Sequence, residues 1–169
     1  GYDKIYIIDS LSATCGIRLL TEVALNWIQE NKDVNAIVSE LENLKHKIHI
    51  YAGVDTLEYL AKGGRISKAA ATIGTLASIK PVISVQNGEV VVAGKARGIN
   101  KATSLIQDKV SNDLVDTLYP IYTIYSYGFE NTEKLESKLD FEYERVRLGS
   151  TIGVHIGPNA FGVCFISKL

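Results

Sequence analysis

The sequence predicts a two-layer α/β domain built on a mixed sheet of about six strands. Runs with helical spacing alternate with short β-rich runs along the chain, the pattern of helices packed on a sheet. Asn87-Gly88 stands between two of those β-rich runs, a two-residue hairpin signal that forces at least one antiparallel pair. The 169 residues are 46% apolar and 22% charged, which suits one ordinary domain able to bury roughly 70% of its unfolded surface without staples.

Taken in order, Ile5 to Ile8 read as a buried strand. From Gly16 to Gln29, the residues Ile17, Leu20, Ala24, Trp27 and Ile28 keep helical spacing. Asp33 can cap a second helix whose apolar stripe is Val34, Ile37, Val38, Leu41 and Leu44. KIHIYAGV follows as a strand. Asp55 and Glu58 form a capping-box pattern before TLEYLAK, and Gly63 and Gly64 end that helix where a left-handed backbone is needed. Ser67 can cap a further helix, KAAATIGTLAS, which must stop before Pro81. The hairpin PVISVQNGEVVVAGKA comes next, then a helix from about Lys101 to Val110. PIYTIYSYG is a strand, Asn131 can cap the helix TEKLESKL, and YERVRLG and AFGVCFIS complete the strand set.

Charge and composition narrow the function classes. A net charge of −1 argues against nucleic-acid binding, which needs a basic surplus to neutralise phosphates. Cys15 and Cys164 lie far apart with no CxxC spacing and read as buried free thiols of a reducing compartment, in keeping with a cytoplasmic location. No apolar run approaches the ~20 residues of a membrane span. The sequence starts with Gly and has no Met, and is expected to be a piece of a longer chain.

Three groups of residues carry candidate chemistry. In LAKGGRIS, two glycines at a helix end precede Arg65, so backbone N–H groups and a guanidinium come close together, a combination suited to a carboxylate or phosphate. The alternative is a tight helix–helix turn with a surface arginine. The spacing is neither GxGxxG nor a P-loop. His46 and His49, three apart, have the spacing of metal ligands on one helical face but straddle a helix-to-strand boundary with no cysteine near in sequence, so no metal is expected. In TIGVHIGPN, an extended backbone would send Ile152, Val154 and Ile156 one way and Gly153, His155 and Gly157 the other. The second face would be bare apart from one imidazole, a strip able to receive a ligand's head group; the alternative is a structural histidine in a Gly-rich turn. Lys80, Lys95 and Arg97 add positive charge around the hairpin. No nucleophile elbow, triad or carboxylate dyad is recognisable.

Together, IIDS at 7–10, DTLEYLAKGGRIS at 55–67, IKPV at 79–82, NGEVVVAGKARG at 87–98 and HIGPNAFGVCF at 155–165 resemble the C-terminal part of the DegV family of bacterial fatty-acid-binding proteins. The resemblance implies a two-lobed protein: a Rossmann-like first lobe, and a second lobe that is a two-layer α/β domain on a six-stranded mixed sheet. On that basis residues 1–30 are the end of the first lobe, its last strand and helix, and residues 31–169 are the second. The resemblance further implies a long-chain fatty acid in an apolar tunnel between the lobes, its carboxylate near their interface, presented to a separate fatty acid kinase subunit that makes the acyl phosphate from ATP. Such a carrier has no catalysis and no cofactor of its own. His155 matches the family's H-x-G-P histidine, a carboxylate contact, with Gly153 and Gly157 left bare for the head group. Arg65 matches the GGR arginine and Arg97 the K-x-R-G arginine, both placed by the resemblance on the rim that meets the kinase, with Lys80 nearby. The first-lobe Ser and Thr contacts are absent here. The family usually reads G-P-G where this chain reads Gly157-Pro158-Asn159, and Asn is the next best residue for a positive φ. Two other readings stay open: an enzyme-like domain related to dihydroxyacetone kinase, with His155 holding a carbonyl substrate, and a purely structural or interaction domain.

Overall fold

The computed structural model describes residues 4–67, 78–110 and 115–168. The helix expected after Ser67 falls on residues 68–77, outside the described residues. In chain order the elements are α1 (Cys15–Gln29), α2 (Val34–Leu44), a 3-10 turn (Lys45–Lys47), β1 (Ile48–Gly53), α3 (Glu58–Lys62), β2 (Ile79–Gln86), β3 (Glu89–Arg97), α4 (Ile99–Lys109), β4 (Tyr122–Tyr125), α5 (Glu130–Glu136), β5 (Glu144–Arg147), α6 (Ser150–Ile156) and β6 (Phe161–Ile166).

The strands form the expected six-stranded mixed sheet, in the order β3-β2-β1-β6-β4-β5. Among the described residues only β4 and β5 pair in parallel; every other neighbouring pair is antiparallel. Helices cover both faces rather than one. Residues of α1, α2, α3 and α6 form one core with Ile50, Ala52 and Ile83, while α4 and α5 form another with Val82, Phe161, Val163 and Phe165. The physical reason lies in β6, where all six residues are buried: a central strand apolar on both sides needs cover on both.

Local signals account for several elements. Asp33 Oδ1 accepts from the N–H groups of Asn35 (2.9 Å) and Ala36 (3.3 Å), the expected cap of α2. Asn87 and Gly88 take φ of 51° and 82°, the two left-handed positions a type I′ turn demands. Other caps differ. Thr56 Oγ1 accepts from Glu58 N at 3.2 Å in place of the Asp55 capping box. Asn131 lies within the first turn of α5, whose N-cap is Phe129. Gly63 is right-handed at φ −78°, and the left-handed position is Gly64 at 69°.

The run Ile5–Ile8 is not a strand. It has no ladder partner among the described residues, and a lone extended segment has nothing to bond its backbone. Ile8 packs against the core, whereas Ile7 is 92% exposed. In contrast α1, assigned from sequence to a preceding lobe, lies on this sheet and buries Cys15, Leu19, Leu20 and Val23 in its core. It is also pinned by charge. Arg18 reaches Glu144 of β5 through both terminal nitrogens (2.9 and 2.8 Å) and stacks 4.5 Å from the Tyr122 ring, and the Tyr122 hydroxyl donates to Glu22.

One irregularity redirects side chains. The β2–β3 ladder slips between Val82 and Ile83, so that Ile83 pairs with Val92 and Val82 with Gly94, leaving Ala93 extra. Before this bulge Val90 and Val92 face the α1 side; beyond it Ala96 joins the α4 core, which puts Lys95 and Arg97 on the α1 side.

A buried carboxylate locks α5 to the sheet. Glu136, only 5% exposed, accepts from Thr123 Oγ1 (2.6 Å) and Arg145 Nε (3.0 Å) and pairs with Arg145 Nη2. Burial pushes its carboxyl pKa up, but the bonds and charge of Arg145 and the Thr123 hydroxyl outweigh burial and hold it below the ordinary value. A depressed carboxyl pKa stabilises the fold above its unfolded value of about 4.3, and that contribution is lost as pH falls through the folded value. Arg145→Met should therefore cost about 1–3 kcal/mol at pH 7. In the variant the Thr123 hydroxyl is left as the opposing hydrogen bond and the charge of Arg145 is gone, so Glu136 takes up its proton more readily and the deficit narrows as pH falls toward 4. Urea titrations of both proteins at the two pH values check this.

Candidate functional site

On the α1 side of the sheet lies a cavity of about 200 Å³. Its floor is the aliphatic surface of the central strands, with Ile50, Ala52, Ile83 and Ile124; Leu60 of α3 and Ile152 and Ile156 of α6 close it from above. His155 and Arg65, far apart in sequence and proposed separately, both line it. So do Ser12 and Thr14, which sequence reasoning did not single out. The signal available was the SLSAT run between the strand-like segment and α1, where Leu11 and Thr14 adopt positive φ of 50° and 45°.

His155 does not sit on an extended segment. Ser150–Ile156 is a short helix, so the expected alternation fails. Gly153 and Gly157, four apart, fall on one side, and His155 falls with Ile152 and Ile156 on another. Packing overrides local preference here: Thr151, Ile152, Val154 and Ile156 are strand-formers, but burial of Ile156 and the cover of the sheet require a helix.

The glycines serve the two short helices. A Cβ on Gly63 would collide with Nδ1 of His155, so Gly63 is bare because the imidazole lies against it. Gly157 is left-handed at φ 80°, and a Cβ there would stand 2.5 Å from Tyr59 Cδ2. Each helix thus lays a ring on a glycine of the other's arm. Gly153 would meet only open space.

Two buried side-chain polar atoms lack a hydrogen-bond partner among the described residues: Ser12 Oγ and His155 Nδ1. Both residues line this cavity. Leaving such atoms unpaired costs about 1–3 kcal/mol each, so a polar group or water brought into the cavity has something to satisfy. Arg65 is exposed, its Nη1 donating to Gly63 O at 3.1 Å, and it lies against the turn end of the β2–β3 hairpin.

The remaining candidates lie elsewhere. Lys80 is on the α4 side of β2, opposite Ala96, and its ammonium bonds Asp55 at 2.7 Å. Asp55 also accepts from Asn159 Nδ2 at 2.8 Å. Burial would raise the Asp55 pKa, but Lys80 and Asn159 prevail and hold it below the ordinary value. Asn159 takes φ 57°, as the left-handed turn requires. Arg97 is at the far end of β3 from Arg65, seven residues beyond Val90 or roughly 23 Å of strand, so the two arginines do not form one cluster. His49 bonds Ser167 Oγ at 3.1 Å and stacks on Phe165, and burial lowers its pKa. No group of three metal-type ligands occurs among the described residues. Cys15 and Cys164 are buried free thiols, and no described helix is long and apolar enough to cross a membrane.

Comparison with known proteins gives consistent matches. The family model of DegV, described as an uncharacterised protein family, matches residues 1–168. A DegV domain-containing protein of Clostridium acetobutylicum is 30% identical over 98% of this chain, and one of Caldanaerobacter subterraneus is 32% identical over the same share. In both cases the chain spans 61% of the relative's length. Among solved structures, a fatty-acid-binding DegV family protein of Thermus thermophilus is 28% identical with a TM-score of 0.85, over 98% of this chain and 61% of that one. A stearic-acid-binding protein of Eubacterium ventriosum is 29% identical with a TM-score of 0.79, over 95% and 58%. The fold, the motifs and these matches agree, and the chain belongs to the DegV family.

Proposed function

We propose that this chain is the larger part of a lipid carrier, holding a long-chain fatty acid by its tail in the aliphatic cavity and by its carboxylate near His155 and Arg65. The observation that carries the reading is the composition of the cavity: branched aliphatic side chains on nearly every wall, with one imidazole, one guanidinium and an unpaired hydroxyl at its border. An acyl chain gains ~0.8 kcal/mol per buried methylene, so the tail supplies affinity and the polar border fixes orientation. The similarity to fatty-acid-binding and stearic-acid-binding DegV proteins supports it.

The cavity's 200 Å³ is below the roughly 300–1,000 Å³ of a complete small-molecule site, so part of a long ligand lies beyond this chain. The rest of a longer protein is the natural cover. Ile17, Leu25 and Ile28 of α1, with Ile5 and Ile7, are exposed apolar residues suited to a preceding lobe. In that division the segment Ile5–Ser10 is the connection from the first lobe, and α1, within the 1–30 span that the resemblance gives to that lobe, packs on this sheet and presents its outer face to the lobe.

Catalysis is not assigned to this chain. A separate kinase phosphorylates the presented carboxylate, and Arg97, re-aimed by the β3 bulge, is the candidate docking contact. Arg97→Glu in the full-length protein should abolish acyl phosphate formation by that kinase while fatty-acid binding persists, because peripheral charges govern association. Normal coupling with lost binding would invert the assignment.

The carboxylate contact has a sharper test. In the full-length protein, His155→Ala should weaken fatty-acid binding about ten- to a hundredfold, the value of one strong polar contact. The matching fatty alcohol should lose far less. An equal loss for both ligands, with a lowered Tm, would leave His155 a packing residue; a covalent carbonyl adduct on His155 in solvent-extracted protein would favour the enzyme reading.

A further inference from the structure

The two helices that border the cavity are too short to stand alone. α3 has five residues and α6 has seven, and helices of that length are not stable by themselves in water. Their positions are therefore set by contacts. Between the arms 54–66 and 149–160 those contacts include the His155 ring over Gly63 and the Tyr59 ring over Gly157. A ring on a bare Cα is close but undirected, and can slide in its own plane. Among the described residues, one hydrogen bond joins the two arms: Asn159 Nδ2 to Asp55 Oδ2, at 2.8 Å. Asp55 is in turn fixed to the sheet by Lys80 of β2, at 2.7 Å, with the Lys80 side chain 19% exposed. On its other side, Asn159 is followed by Ala160, whose N–H donates to Ser126 Oγ at 3.0 Å and whose carbonyl accepts from Ser126 N at 3.1 Å.

We propose that Asn159 is a positioning residue: through Asp55 and Lys80 it sets the placement of α6 against α3, and so the placement of the His155 imidazole beside Gly63 and Arg65 at the cavity's polar border. The left-handed φ of 57° allows asparagine there and lets its amide reach back across the turn. The ring-on-glycine contacts fix how close the helices come, and the amide–carboxylate bond fixes their register. The affinity arm of the test rests on the fatty-acid reading; the spectroscopic arm does not.

The experiment uses full-length protein and Asn159→Gly, which keeps the left-handed turn while deleting the amide. In ligand-free protein, the His155 ring resonances, assigned by their loss in His155→Ala, should shift or broaden, while those of His46 and His49 stay in place. The ratio of stearic acid to stearyl alcohol affinity should fall about three- to tenfold, through weaker acid binding alone, the scale of one partly exposed hydrogen bond. Asp55→Ala should move the same His155 signals, and the double variant should move them no further than either single one. Unchanged His155 resonances and an unchanged acid-to-alcohol ratio would overturn the proposal, as would equal weakening of acid and alcohol. A parent protein that binds neither ligand would defeat only the fatty-acid reading. In that protein a shifted imidazole still supports the positioning role, and an unshifted one overturns it.

Discussion

Burial of the central strand on both sides is the constraint from which the rest of the structure follows. From Phe161 to Ile166 no residue of β6 reaches solvent, so the sheet must be covered twice. On one side α4 and α5 do this with long apolar contacts and the Glu136–Arg145–Thr123 cluster. On the other, α1 and α2 cover part of the sheet, and the remainder is left to α3 and α6, five and seven residues long. Elements so short roof the strands without filling the space beneath them. The cavity is where the cover is thin.

That view also explains which glycines are bare. Close packing of α3 and α6 would be blocked by a Cβ at Gly63 or Gly157, because a ring from the opposite arm occupies each place. The pair of helices can then approach with few side chains between them, and the imidazole is carried to the edge of the cavity as part of the packing. Binding residue and packing residue are the same side chain at His155, which is why its two readings separate only when ligand chemistry and stability are measured together.

Much of this was legible in the sequence, for local reasons. The Asn87-Gly88 turn, the Asp33 cap and the stripe of α2 each depend on neighbours within a few residues; the turn and cap are present, and the stripe is buried at Ile37, Leu41 and Leu44 while Val34 faces solvent. Arg65 and His155 stand out both by their glycine-rich surroundings and by the family motifs they match, and the fold does bring both to one cavity. What was misread depends on distant partners. Ser150–Ile156 carries β-branched residues and a glycine, so its helix is imposed by the sheet below it. Asp55 has the spacing of a capping box, yet Lys80 and Asn159, distant in sequence, claim its carboxylate. Ser12 matters only because Gly16 and the hairpin lie beside it, contacts that no sequence period encodes. Ile5–Ile8 has the composition of a strand but no partner among the described residues.

The bulge in β3 makes one face of a single strand chemically directional. A regular strand that turned Val90 and Val92 toward α1 would turn Lys95 and Arg97 away, toward α4. The extra residue at Ala93 reverses the phase midway, so the same face runs from hydrocarbon at the hairpin turn to cations at the opposite end. Were the ladder regular with Ala93 kept in it, every strand could stay in place yet the far end's chemistry would exchange faces, with Ala96 on the α1 side and two cations turned into the α4 core; deleting Ala93 would instead remove the bulge and leave both faces as they are. The strand acts as a polarised track whose two ends are distinguished by a one-residue phase shift.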